Sequence, residues 1–178
     1  SAERKYFEYV YLTSDLISLD GRKYHQKRNH LSYFRNNYNW SYEKMTEQNI
    51  EDCRRYNKQW ENDNQDKSPA ELAAESVAIN KAFDNYQQLG FVGGVIRIDG
   101  NVAAYTMGER LNDNTFCTHF EKADADTRGA YPIINQQFAE NELSSYKYIN
   151  REDDTGSEGL RKAKLSYHPN HLISRYAA

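Results

Sequence analysis

The chain lacks most of the features that give a sequence away. Among its 178 residues are two cysteines, Cys53 and Cys117, and three prolines. Two cysteines make no disulfide framework and fit a reducing compartment. No run approaches the roughly 20 apolar residues of a membrane span, and no secretory signal opens the chain, so the expected location is the cytoplasm. Neither charge sign dominates: the net charge of −3 excludes a generic polyanion binder, and any phosphate contact must come from a local patch. Nucleophile-elbow, Walker and dinucleotide fingerprints are absent, as are internal repeats and low-complexity tracts. His119, His168, His171 and Cys117 form no recognisable metal spacing.

Aromatics are abundant. Mean hydropathy is −0.99, low enough to suggest disorder. However, fifteen Tyr, seven Phe and two Trp make 13% of the chain aromatic and supply a core of amphipathic rings. The length suits one domain spanning 1–178, with a polar linker at 62–67.

Tyr6–Leu12 is rich in strand formers, and a helix is expected from Arg22 to Asn36 with Tyr24, Lys27, Leu31 and Phe34 on one face. Residues 40–45 alternate as a strand, and Asn49 is the expected N-cap of a helix reaching Glu61. Ser68-Pro69-Ala70-Glu71 is a capping box opening a helix to Leu89-Gly90. Asp99-Gly100, between two strand-like runs (91–98 and 101–108), signals a type I′ hairpin. A strand at 115–121, a helix at 129–141 and a short strand at 146–149 follow. The expected architecture is mixed α/β (α+β): a mixed central sheet flanked by helices, with antiparallel hairpins at its centre.

Four constellations carry chemistry. Arg22–Arg35 holds Arg22, Lys23, Lys27, Arg28 and Arg35 with no acid between Gly21 and Tyr42, which suits either phosphate contact or a solvated helix face. The junction from Phe120 to Tyr131 brings Glu121, Asp124 and Arg128 to a helix start, where free N–H groups favour an anion or a carbonyl. Arg151 enters an acidic run, Glu152-Asp153-Asp154, which suits a substrate amine or a surface loop. Finally, Lys162 and Lys164 alternate ahead of Pro169, as on the face of an edge strand, with Arg175-Tyr176 closing a last helix or turn.

Several runs carry a family resemblance: residues 16–30, His119-Phe-Glu-Lys-Ala-Asp124, Arg128-Gly-Ala-Tyr131, Tyr148-Ile-Asn-Arg-Glu152 and Gly159-Leu-Arg-Lys-Ala-Lys-Leu-Ser-Tyr-His-Pro169. Together they resemble the aminoacyltransferase C-terminal domain of phosphatidylglycerol lysyltransferases, within the GNAT-like acyltransferases. The resemblance implies a GNAT-like fold, here the second half of a tandem whose N-terminal half is missing from this chain. It also implies transfer from aminoacyl-tRNA to a phospholipid or another hydroxyl or amine acceptor, without a cofactor or metal. Peripheral contact with a membrane follows for a lipid acceptor. By the same resemblance Lys23, Arg28, Lys162 and Lys164 bind the tRNA acceptor end or an acceptor phosphate. Glu121, Asp124 or Glu152 holds the aminoacyl ammonium, and the Arg128-Gly129 helix start faces the reacting carbonyl. One departure is Tyr131, which occupies a position where the GNAT pyrophosphate loop has a small residue. The ring argues against an acetyl-CoA-dependent N-acetyltransferase, the alternative enzyme reading; the remaining alternative is a non-catalytic half that binds tRNA or phosphate.

Overall fold

The computed structural model describes residues 3–174; the Arg175-Tyr176 expectation lies outside them. All strands join one seven-stranded sheet. In chain order they are β1 (Glu8–Leu12), β2 (Trp40–Lys44), β3 (Val92–Ile98), β4 (Asn101–Asn112), β5 (Thr115–Ala123), β6 (Tyr148–Asn150) and β7 (His171–Ile173). Across the sheet the order is β2-β3-β4-β5-β6-β1-β7, antiparallel throughout except for the parallel β5–β6 pair. The helices are α1 (Thr13–Ser18), α2 (His25–Asn37), α3 (Ile50–Asp63), α4 (Pro69–Asp84), α5 (Ala130–Glu142) and α6 (Glu158–Leu165).

The period of two sorts neighbouring side chains onto opposite faces, and both faces are covered. Ile96, Ala104, Phe116 and Ile149 pack with Leu16 of α1, Leu31 and Phe34 of α2, and Ile133, Ile134 and Phe138 of α5. Val95, Tyr105 and Met107 turn the other way, onto Ile50 and Cys53 of α3 and Ile79, Ala82 and Phe83 of α4. The buried and half-buried tyrosines carry their hydroxyls to polar partners. Tyr11 donates to Lys164 O, Tyr24 to Tyr167 O, Tyr56 to Ala103 O and Tyr86 to Met45 O. A low-hydropathy chain thus builds a core from rings whose polar ends satisfy backbone carbonyls.

Several local expectations hold. Ser68 Oγ accepts from Glu71 N as a capping box requires. Asp99 and Gly100 take φ of 51° and 81°, the positive pair of a type I′ turn. The polar stretch 62–67 ends α3 and turns into α4, and Arg54 of α3 ties the two helices through Asn80 (3.0 Å) and Asp84 (2.9 Å). Asn49 precedes α3, but its side chain bonds Thr46 N and Lys44 O instead of capping the helix.

The Lys162/Lys164 strand is corrected outright: this segment is α6. Ser157 Oγ accepts from Leu160 N at 3.2 Å, Glu158 lies in the first turn, and both lysines lie in the last, so cap and macrodipole agree on a helix. Residues two apart on a helix lie on nearly opposite sides. Lys162 is accordingly exposed and Lys164 buried. Two short elements, α1 and β7, were also not anticipated.

Candidate functional site

The sheet opens at its one parallel seam. β5 and β6 pair only at Thr115↔Tyr148, Phe116↔Ile149 and Cys117↔Asn150. Beyond Cys117, β5 continues to Ala123 along β4. Past Asn150 the segment leaving β6 follows β1 instead, with Arg151 N donating to Tyr9 O (2.9 Å) and Tyr9 N to Glu152 O (3.0 Å). The two paths diverge into a fork lined by side chains from both. A bulge adds to the opening: the register steps from Gly108↔Thr118 to Met107↔Phe120, leaving His119 as the extra residue.

Two predicted residues meet in this fork. Arg151 Nη2 donates to Glu121 Oε1 at 2.9 Å, and their side chains are only 12% and 13% exposed. The guanidinium lies over the rings of Tyr167 (5.3 Å) and Tyr11 (5.6 Å). Lys27 of α2 places Nζ 4.1 Å over the Tyr167 ring. Burial, and next the Arg151 charge, lower the Lys27 pKa. Burial pushes the Tyr11 phenol up to about 12 and that of Tyr167 higher still. On the α5 side, Asn135 Nδ2 faces Glu121 Oε2 at 3.4 Å, while its own Oδ1 is buried without a hydrogen-bond partner. Lys164 also supports the site. Its Nζ donates to Arg151 O and Asp153 O, both at 2.5 Å, and burial lowers its pKa to about 8.

The other predicted residues divide between a rim and the scaffold. Arg128, at the α5 start, donates Nε to His30 Nδ1 (3.3 Å) and lies 4.4 Å over the Tyr33 ring. Burial, Arg128 and Lys27 together lower the His30 pKa. Arg128 and Lys27, with a neutral His30 between them accepting from Arg128, therefore form a basic rim where α5 begins. Asp124 is exposed and bonds its own loop, accepting from Asp126 N and the Thr127 hydroxyl. Arg28 donates to Leu19 O and Gly21 O, tying down the turn after α1. Lys23 is exposed with its ammonium near the Tyr24 ring, and Lys162 is exposed on α6.

The acidic run is not one site. Glu152 points to His119 Nδ1 at 3.0 Å. Asp153 accepts from Thr155 N. Asp154 is fully buried and accepts from the Tyr9 hydroxyl (2.6 Å) and Arg161 Nε (2.7 Å). Burial opposes its charge, but these bonds outweigh it and hold the carboxyl well below its usual range. A hollow lined by Asp52, Arg97 and Gly100 sits at the hairpin end of the sheet and contains none of these residues.

Sequence reasoning missed Asn135, Tyr11 and Tyr167. Asn135 left a signal, a polar residue beside the apolar stretch of α5. The tyrosines left none, because nothing local distinguishes them from the other thirteen.

The family described as "Phosphatidylglycerol lysyltransferase, C-terminal" matches residues 1–178, the entire chain. The chain belongs to that family. A conserved protein of unknown function from Bacteroides thetaiotaomicron is 40% identical and superposes with a TM-score of 0.91 over 98% of this chain. L-PGS from Bacillus licheniformis is 14% identical, with a TM-score of 0.68 over 99% of the chain. A tandem GNAT protein from the clavulanic acid biosynthesis pathway is 9% identical, with a TM-score of 0.54 over 97%. The last two likenesses show the fold alone, and that fold is GNAT-like. The chain spans 59%, 60% and 54% of these three proteins respectively. Among the described residues, no helix is long and apolar enough to cross a membrane.

Proposed function

We propose that this lysyltransferase C-terminal-family protein transfers an aminoacyl group from aminoacyl-tRNA to a hydroxyl or amine acceptor, a phospholipid head group among them. The observation that carries the reading is the largely shielded Glu121–Arg151 pair in the fork, beside an unpartnered Asn135 Oδ1. An α-ammonium needs acceptors, and Glu121 Oε2 and Asn135 Oδ1 supply two in a place closed to bulk water. Arg151 keeps N–H donors beyond the one given to Glu121, available to the ester carbonyl as it gains charge. Arg128 and Lys27 at the α5 start suit the phosphates of the tRNA acceptor end.

In this reading catalysis comes from positioning and charge stabilisation, with no covalent enzyme intermediate. The acceptor's lone pair forms the new ester or amide bond as the ester to the tRNA ribose breaks. The acceptor's proton passes to the released ribose hydroxyl. Tyr131, half-buried against the core at the second residue of α5, weighs against an acyl-CoA pyrophosphate at the same helix start. The acceptor, the cytoplasmic or membrane-peripheral setting and a preceding GNAT-like half belong to the same proposal.

The test is single-turnover transfer from a mixture of charged tRNAs to lipid and amine acceptors. Transfer should occur and should fall about 100-fold in Glu121→Gln, with circular dichroism unchanged. Absence of transfer, or full activity in Glu121→Gln, defeats the reading.

A further inference from the structure

At the point where β5 and β6 part, a second group of side chains meets outside the Glu121–Arg151 pair. Cys117 Sγ lies 3.8 Å from His119 Nδ1, and that nitrogen lies 3.0 Å from Glu152 Oε1. One ligand atom from each of the three residues falls within 4.8 Å of the other two. Metal–ligand bonds of about 2.3 Å to sulfur and about 2.0–2.1 Å to nitrogen or oxygen at tetrahedral angles put neighbouring donors about 3.3–3.6 Å apart. The two separations at His119 need to move by only a few tenths of an ångström to reach that geometry, and the sulfur and the Glu152 carboxylate close from within 4.8 Å of each other.

From this geometry we infer that Cys117, His119 and Glu152 form a binding site for zinc or a similar borderline divalent cation, with a fourth coordination position left open. Sulfur, imidazole and carboxylate together suit zinc better than calcium or magnesium, which take oxygen ligands.

The surroundings favour the same conclusion. The second imidazole nitrogen, Nε2, faces Glu109 Oε1 at 3.4 Å. Metal-bound histidines usually give their other N–H to a carboxylate, which fixes the ring's tautomer and orientation. Glu109 stands on β4 directly across from Cys117, so the strand register itself holds this partner in place. Phe91 stacks on the His119 ring, centroids 5.6 Å apart and planes 28° from parallel.

Glu152 is held just as firmly. Its N–H donates to Asn150 Oδ1 (2.8 Å), and its carbonyl accepts from Tyr9 N (3.0 Å). Lys164 grips the carbonyls on either side of it, those of Arg151 and Asp153. The Glu152 φ of +61° is uncommon for a residue with a side chain, and these bonds maintain it. Cys117 and His119 escaped the spacing argument because the bulge at His119 and the arrival of Glu152 from a distant segment complete the set.

A metal here would clamp the fork at its apex, bridging β5 to the segment that leaves β6. Its open position would accept water or a ligand oxygen.

The experiment uses the whole chain, stripped with a chelator and titrated with Co²⁺ and then Zn²⁺. Expected is one Co²⁺ per chain with an intense thiolate-to-cobalt charge-transfer band, displaced by Zn²⁺. Cys117→Ser should abolish the band, and Glu109→Gln, which leaves all three ligands in place, should weaken affinity 10- to 100-fold. Absence of a stoichiometric thiolate band in the parent protein overturns the site. Binding unaffected by Cys117→Ser and Glu109→Gln overturns it equally, since the metal would then lie elsewhere. Because the parent titration is decisive alone, a variant that fails to fold leaves the inference testable.

Discussion

Lys164 puts a primary amine into the interior and spends its donors on two backbone carbonyls, and the energetic consequence can be read against pH. Its folded value is about 8 against an ordinary 10.5, so between those values the unfolded chain holds a proton that the folded chain lacks. Stability contributed by this group therefore rises with pH across that window, by up to about 3 kcal/mol. Other groups slope the opposite way. His119 is raised from 6.5 to about 11 by its bonds to Cys117 and Glu152, and the stability it contributes is lost as pH climbs from 6.5 through 11. Burial carries the Tyr11 and Tyr24 phenols from 10 to about 12, so they add a further loss above pH 10. The expectation for metal-free protein is a decline from pH 6.5 to 8, a levelling between 8 and 9, a renewed decline above 9, where burial keeps the Cys53 and Cys117 thiols protonated in the folded chain, and a steeper fall beyond 10. In Lys164→Met the levelling should vanish, leaving a continuous decline. Urea midpoints across this range decide it, and parallel curves for the two proteins would refute the assignment. At this scale the sequence revealed chemistry without partners. Glu121 and Arg151 both stood out in the sequence as candidates. Their meeting was not, because thirty positions separate them and only the sheet order brings them to one place. Arg28 shows the converse. It read as a phosphate ligand, but it bonds carbonyls nine and seven residues upstream.

Elements were legible where a local signal was unambiguous and misread where two periodicities competed. The Ser68 capping box, the Asp99-Gly100 turn and the basic helix each carry their own stereochemical reason. For α6, the Lys-x-Lys alternation suggested a strand, while the Ser157 cap and the charge order along the segment specified a helix. Eight residues contain too few turns for the apolar stripe to decide between them. The start of α5 makes a sharper prediction. Gly129 has φ +88°, and a Cβ built there would lie 2.5 Å from His30 O and 2.8 Å from Phe34 Cβ. Gly100 has a similar φ of +81°, but open space around it. Gly100→Ala should therefore cost about 1 kcal/mol from backbone strain alone, and Gly129→Ala about 3 kcal/mol, since α2 must also be pushed away. Chemical denaturation of the two variants measures the difference; equal losses would mean that the α2–α5 contact is looser than described.

For the whole molecule, a net charge of −3 conceals an uneven distribution, with the cations Arg128 and Lys27 gathered around a neutral His30 at one end of α5. If that rim meets the phosphates of tRNA, Arg128→Ala should reduce the slope of log affinity against log salt by about one, and Lys162→Ala should leave it unchanged. Filter binding over a salt series checks this, and a Lys162-dependent slope would move the contact to α6. The overall class was readable from composition and element order, while the two-faced packing had to await the structure, because residues such as Val95 and Ile96 are alike in sequence and part only across the sheet. That division has an optical consequence. Each of the two tryptophans reports a different layer. Trp40 sits 6.1 Å from Phe34 against α2, and Trp60 of α3 bonds Ala123 O with the Lys122 ammonium 4.2 Å over its ring. Replacing either one by phenylalanine leaves a single tryptophan, so with excitation at the red edge of the aromatic band, where the fifteen tyrosines do not absorb, the emission of one layer can be followed without labels.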